Sequence, residues 1–211
     1  MGGGIFLVFL FLHWLFLEPK EFGLPAERFF AGHGGWFFAL VSIILTTIIW
    51  FAQQRDQWLA FAASVGSCVF FITHGFKEHA EQAERNLTAG HSYLSDISKL
   101  MYLEVLDATF SIDGVVGAFA FTMSVPLIIA GNGLGAVVVR ELTIRGVDQI
   151  KNYAYMKNGA MYSILFLGVI MLLESLQINV PHFIPPIITF LVIGYFSIKS
   201  IKVKKTSHKV G

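Results

Sequence analysis

A chain of 211 residues in which 55% are hydrophobic and only 14% charged lacks the surface chemistry of a water-soluble domain, because ordinary globular chains carry about 25% charged residues. Mean hydropathy is +0.66 and phenylalanine alone accounts for 21 residues, so a soluble enzyme is excluded. Fifteen Lys and Arg stand against 14 Asp and Glu, a formal charge of +1, which leaves no basic excess to neutralise phosphates, and no nucleic-acid partner is expected.

Crossing a hydrocarbon core about 30 Å thick takes roughly 20 apolar residues as a helix. Seven stretches approach that length, at 2–17, 35–52, 58–75, 100–123, 125–139, 153–173 and 184–201. They predict an all-α polytopic membrane helix bundle, one integral domain over 1–211, in the cytoplasmic membrane. Nothing basic precedes the first stretch and no small-residue cleavage site follows it, so it reads as a span rather than a secretory signal. The lone Cys68 lies within the third stretch and is expected to be a small buried apolar residue. His13 stands alone in the first span and is expected to be a hydrogen-bonded interior residue or a snorkelling one. In the fifth stretch Pro126 suits a helix start. Gly131, Gly133 and Gly135 interrupt that run, so a tilted, broken or half-spanning helix is expected there, with the glycines serving close helix packing.

Alternate connecting segments hold 14 of the 15 basic residues: Lys20 and Arg28; Lys77, Arg85 and Lys99; Arg140, Arg145, Lys151 and Lys157; and Lys199, Lys202, Lys204, Lys205 and Lys209. The opposite set holds only Arg55. Since cytoplasmic loops retain positive charge, the amino terminus is placed outside and the carboxyl terminus in the cytoplasm. On that topology 75–98 is a solvated cytoplasmic loop carrying His74, His79 and His91 near Glu78, Glu81 and Glu84, without metal-site spacing.

The chemistry concentrates in the fourth stretch. Glu104, Asp107 and Asp113 interrupt a run that is otherwise apolar enough to insert, and each acid at the bilayer centre opposes insertion by about 2.5–3.5 kcal/mol. At 100° per residue Glu104, Asp107 and Ser111 fall within about 60° of one another, with Gly114 and Ala118 continuing the stripe. Asp113 lies about 120° from Asp107 and about 9 Å further along the axis. One ion cannot bridge both in an unbroken helix, so an unwound segment near Gly114 and Gly117 is expected. Carboxylates, the Ser111 hydroxyl, backbone carbonyls and the Asn132 amide are hard oxygen ligands suited to Mg²⁺, Ca²⁺ or Mn²⁺. Intramembrane aspartyl proteases also pair two membrane aspartates, but with Tyr-Asp and Gly-x-Gly-Asp patterns that do not occur in this sequence.

The pattern Asp107-x-x-Phe110-Ser111-x-Asp113-Gly114-x-x-Gly117-Ala118 resembles the acidic motif of the TerC-like integral membrane family, named for tellurium resistance. The resemblance to one branch extends through Gly133-Leu134-Gly135-Ala136 with Val139-Arg140 and Leu142-Thr143, Tyr153-x-Tyr155 with Gly159-Ala160-x-Tyr162, and the Phe-rich opening with Glu18-x-Lys20-Glu21. It implies a transporter-like fold associated with divalent-metal efflux, chiefly manganese, or tellurium resistance, with Asp107 and Asp113 at the paired acidic positions and Glu104 an additional acid. No cofactor is held permanently; Mn²⁺ is implied as the transported ion. The family's earlier Ser-x-Asp-Asn motif is absent, so the chain is expected to resemble the middle and carboxyl-terminal part of such a protein. That leaves two alternatives: a homo-oligomer or half-transporter completed by a separately encoded amino-terminal half, and a non-transporting stress-response subunit. Near Gly159, where the branch tends to carry an acid and histidines, Lys157, Asn158 and Met161 stand instead, and no ligand is expected there.

Overall fold

In a computed structural model the described residues are 1–18, 24, 27, 29–30, 33–88, 115, 118–119, 122–150, 155–181 and 183–207, with side chains at 76–88, 139, 142–150 and 202–207 outside the description. They form six helices: α1 (Gly2–Leu17), α2 (Trp36–Gln53), α3 (Gln57–Thr88), α4 (Val125–Ile150), α5 (Met156–Ser175) and α6 (Ile184–Ser207). Among the described residues four segments are long and apolar enough to cross a membrane, Trp36–Gln53, Gln57–Gly75, Met156–Ser175 and Ile184–Ile201, while Gly2–Leu17 and Val125–Val138 are shorter apolar stretches.

The first helix is the axis of the bundle. Every residue from Gly4 to Leu10 is buried, and so are Phe11, Trp14 and Phe16. A helix apolar all round has no face suited to water and is stable only when surrounded. α3 runs parallel to it: Gly2 meets Ala62 and Gly66 at one end, and Phe6 and Phe9 set their rings edge-on to Phe70 at 5.9 and 5.6 Å. α5 runs antiparallel, with Gly4 against Gly168 and Phe11 beside Tyr162. α2 lies across α1 through Phe37, and α6 packs on α5, Phe196 stacking on Tyr162 at 5.5 Å and 12°.

Small residues decide how near the helices come. A Cβ at Gly4 would lie 2.9 Å from the Gly168 carbonyl oxygen, and one at Gly168 would lie 3.0 Å from Leu7 Cβ. By contrast, among the described residues no heavy atom lies within 4 Å of a Cβ built at Gly131, Gly133 or Gly135. Among the described residues the close approaches at glycine include those of Gly2, Gly4, Gly66 and Gly168. The helix that carries Gly131, Gly133 and Gly135 is also continuous: α4 starts at Val125 beside Pro126, as predicted, and runs on to Ile150 through Arg140 and Arg145. Glycine's helix penalty of about 1 kcal/mol per residue is not enough to break a run carried by the good helix formers around it.

Two further expectations change. Residues 76–88 continue α3 as helix instead of forming a loop, because Ala80, Gln82 and Ala83 favour helix and Glu81 precedes Arg85 by four. Cys68 is exposed, on the outward side of α3, since Ser67 and Phe70 take the inward positions there.

Outward-facing apolar side chains dominate the remaining surface. Phe38, Ile43, Phe61, Ile72, Phe190 and Leu191 are all more than half exposed. Trp36 and Trp50 mark the two ends of α2 and Trp58 the start of α3, all largely exposed, the position of aromatic belts at a membrane–water boundary. At the Trp50 end Asp56 accepts a hydrogen bond from the Trp58 amide at 2.9 Å, capping α3. Arg55 Nη1 donates to the Leu176 carbonyl at 2.9 Å, satisfying one of the orphan acceptors that close α5. Beyond it Gln177 adopts φ 61° and the Ile178 amide reaches back to the Leu173 carbonyl, a left-handed helix stop.

Candidate functional site

The helix directions bring the end of α1, the starts of α2 and α5 and residues 196–200 of α6 to one end of the bundle, and polar side chains gather there. The Tyr155 amide, at the N-cap of α5, donates to Ser200 Oγ at 2.9 Å. No local side chain caps that helix, so a serine 45 residues away takes an orphan donor that would otherwise be buried. Lys199 Nζ lies 4.7 Å from the centre of the Tyr155 ring, and Lys157 pairs with Glu18. The Lys157 side chain is 63% exposed, so Lys157→Ala is expected to cost less than about 1 kcal/mol, read as an almost unchanged unfolding midpoint in detergent.

Beneath this surface pair lies a carboxyl of different character. Glu27 is completely buried. The order Leu24-Pro25-Ala26-Glu27 has the form of a helix start with Pro at the first position and Glu at the third. In keeping with it, the Leu24 amide donates to Glu27 Oε2 at 2.8 Å. The same oxygen accepts from Asn158 Nδ2 at 2.6 Å, and Asn158 is only 3% exposed. The Tyr162 phenol, one helical turn along α5, stands beside the same carboxyl. Glu27 Oε1 is buried without a hydrogen-bond partner.

A second group sits between α1, α2 and α3. His13 and His74 have ring centroids 4.0 Å apart, His74 stacks on Phe70 at 4.4 Å, and His13 meets Phe37 edge-on at 5.7 Å. His13 is half-buried, and its ring packs among Phe37 of α2 and Phe70 and His74 of α3. Among the described residues no third metal-ligating side chain joins any such pair.

Of the residues singled out from the sequence, Glu104, Asp107, Ser111 and Asp113 lie outside the described residues, as do Gly114 and Gly117, the place of the expected unwinding. Asn132 is described: it lies exposed on α4. Just past the acidic run the chain bonds the Phe119 and Thr122 amides to the Val115 and Ala118 carbonyls. It turns at Thr122, whose hydroxyl accepts from the Ser124 amide at 3.1 Å, before α4 begins. Glu27 and Asn158 escaped sequence reasoning. The Leu-Pro-Ala-Glu signal was visible, but its partner lies 131 positions away, and no local pattern announces such a pair.

An axial helix apolar on every side, four segments of membrane-crossing length and a buried polar cluster at one end define a membrane-type helical bundle. The chain belongs to the family described as "Protein of unknown function (DUF475)", whose model matches residues 1–207. No curated protein and no solved structure matches it.

Proposed function

We propose that this DUF475 member is a multi-pass transporter of the TerC type in the cytoplasmic membrane, moving a divalent cation out of the cell, with Mn²⁺ the leading candidate. One observation carries the reading: three carboxylates, Glu104, Asp107 and Asp113, within a run otherwise apolar enough to insert. Acids at that depth are tolerated where a cation, a proton or a bundle partner meets them. Asp107 and Asp113 serve as the principal ligands, Ser111 and Asn132 add neutral oxygens, and Glu104 stands at the cytoplasmic mouth. The complement of ligands is hard, matching Mn²⁺ or Mg²⁺ in preference to a thiolate-seeking metal. Cellular manganese measured with and without the chain tests the function; equal content under manganese load would refute it. If efflux appears only on co-expression with a separate amino-terminal half, the half-transporter reading replaces the autonomous one.

The seven-span, amino-terminus-out topology belongs to the same proposal. The alternating directions of α1, α2, α3, α5 and α6 support it, because they put Lys157 and Lys199 at one end and Arg55 at the other. In a Cys68→Ser background, Gln54→Cys is expected to react with a membrane-impermeant maleimide in intact cells and Lys157→Cys only after permeabilisation. The reverse pattern would invert the orientation.

A further inference from the structure

The geometry points to a binding site for one small monovalent cation, H⁺ or Na⁺, at Glu27 Oε1, at the end of the bundle where α1 stops and α5 begins. The site uses none of the acids between 104 and 113. Glu27 has no exposed surface, and its two oxygens are treated unequally. Oε2 takes two short hydrogen bonds, from the Leu24 amide at 2.8 Å and Asn158 Nδ2 at 2.6 Å. Oε1 is equally buried and takes none. Both donors to Oε2 are neutral dipoles, so they hold the carboxyl in place without cancelling its charge. A buried carboxylate oxygen left in that condition is among the most costly arrangements in a protein interior unless a positive charge meets it.

The charged groups described nearby are otherwise engaged. Lys157 is paired with Glu18, and Lys199 lies against the Tyr155 ring. Tyr162 is the titratable group that faces the carboxyl from α5. Charge balance then selects the ligand class. One carboxylate is neutralised by one positive charge, whereas a divalent ion would leave a net positive charge buried, and hard divalent ions gather six or more oxygens. Among the described residues no cluster of three acidic or other metal-ligating side chains exists to supply them. A proton satisfies Oε1 directly. Sodium would bridge Oε1 to the neighbouring phenol oxygen of Tyr162.

The protein carries its own reporter. Trp14 is 2% exposed and its ring lies 6.0 Å from that of Tyr162, whereas Trp36, Trp50 and Trp58 are largely exposed. With those three changed to Phe, Trp14 emission is followed in detergent micelles. One titration replaces choline chloride by NaCl at constant ionic strength; the other varies pH in choline chloride alone. A saturable change with Na⁺, or with pH in the absence of Na⁺, identifies the ion, and Glu27→Gln is expected to abolish it. Glu27→Gln keeps the acceptor used by Leu24 and Asn158 while removing the charge. Should that variant fail to fold, Glu27→Asp, which withdraws the carboxyl by one methylene, is expected to shift the midpoint by about tenfold or more.

No response to either ion, a response that persists in Glu27→Gln, or a midpoint unmoved in Glu27→Asp overturns the site. A pH response lost in Tyr162→Phe but retained in Glu27→Gln would assign titration to the phenol and also overturns it. Binding is read at equilibrium without transport, so failure at Glu27 leaves the reading of Asp107 and Asp113 standing, and the converse holds.

Discussion

Replacing Asp113 with asparagine is expected to abolish metal efflux while the protein still inserts and accumulates normally. Removing a charge from an apolar run lowers the opposition to insertion, so a loss of function is not assigned to a failure to enter the membrane. Changes to groups that merely support a metal's ligands already cost about 10–100-fold in affinity. Loss of a carboxylate ligand itself should therefore exceed about 100-fold. Manganese content of loaded cells, with protein abundance in the membrane as the control, separates the two effects. Asp107→Asn is expected to match it, because the proposed pathway uses both acids. Efflux at the unsubstituted rate in either variant would remove the acids from the mechanism and with them the proposed transport role.

A marked loss of stability is expected at Gly168, where α5 packs on α1. A single added carbon there meets Leu7 Cβ at 3.0 Å, the Gly4 carbonyl at 3.1 Å and Val8 Cγ2 at 3.1 Å. All three neighbours belong to the most deeply buried helix of the bundle and one is backbone, so they have little room to yield. Overpacking of this kind costs about 1–3 kcal/mol, which for a chain of this size lowers the unfolding midpoint of Gly168→Val by about 2–12 °C. Gly194 provides the contrast: among the described residues no atom lies within 4 Å of a Cβ placed there, and Gly194→Val should leave the midpoint unchanged or slightly raised. Equal midpoints for the two variants would mean that the α1–α5 approach is looser than described.

Together these residues show where sequence reasoning works. Span 2–17 coincides with α1, and the starts near Trp36, Val125 and Ile184 were readable from Gly35, Pro126 and the end of a polar stretch. Hydropathy over twenty residues is a property of a segment, and the chain-end signals of helices are local too. The errors had a local cause as well. Residues 76–88 were assigned to a loop because they are polar, although their propensities are helical, and polarity reports the solvent of a segment, not its backbone.

Composition and the spacing of apolar runs determined on their own that this chain forms membrane-type helices, and the sequence shows three acids within one apolar run. Only the tertiary structure decided that Gly4 and Gly168 allow the close approach of α1 and α5. It also decided that His13 has His74 as a neighbour and that Glu27 is buried against Asn158. The reason is the same in each case: a helix's existence follows from its own residues, whereas which faces touch depends on how several nearly uniform apolar surfaces fit together, and that fit is written in no single stretch of the chain.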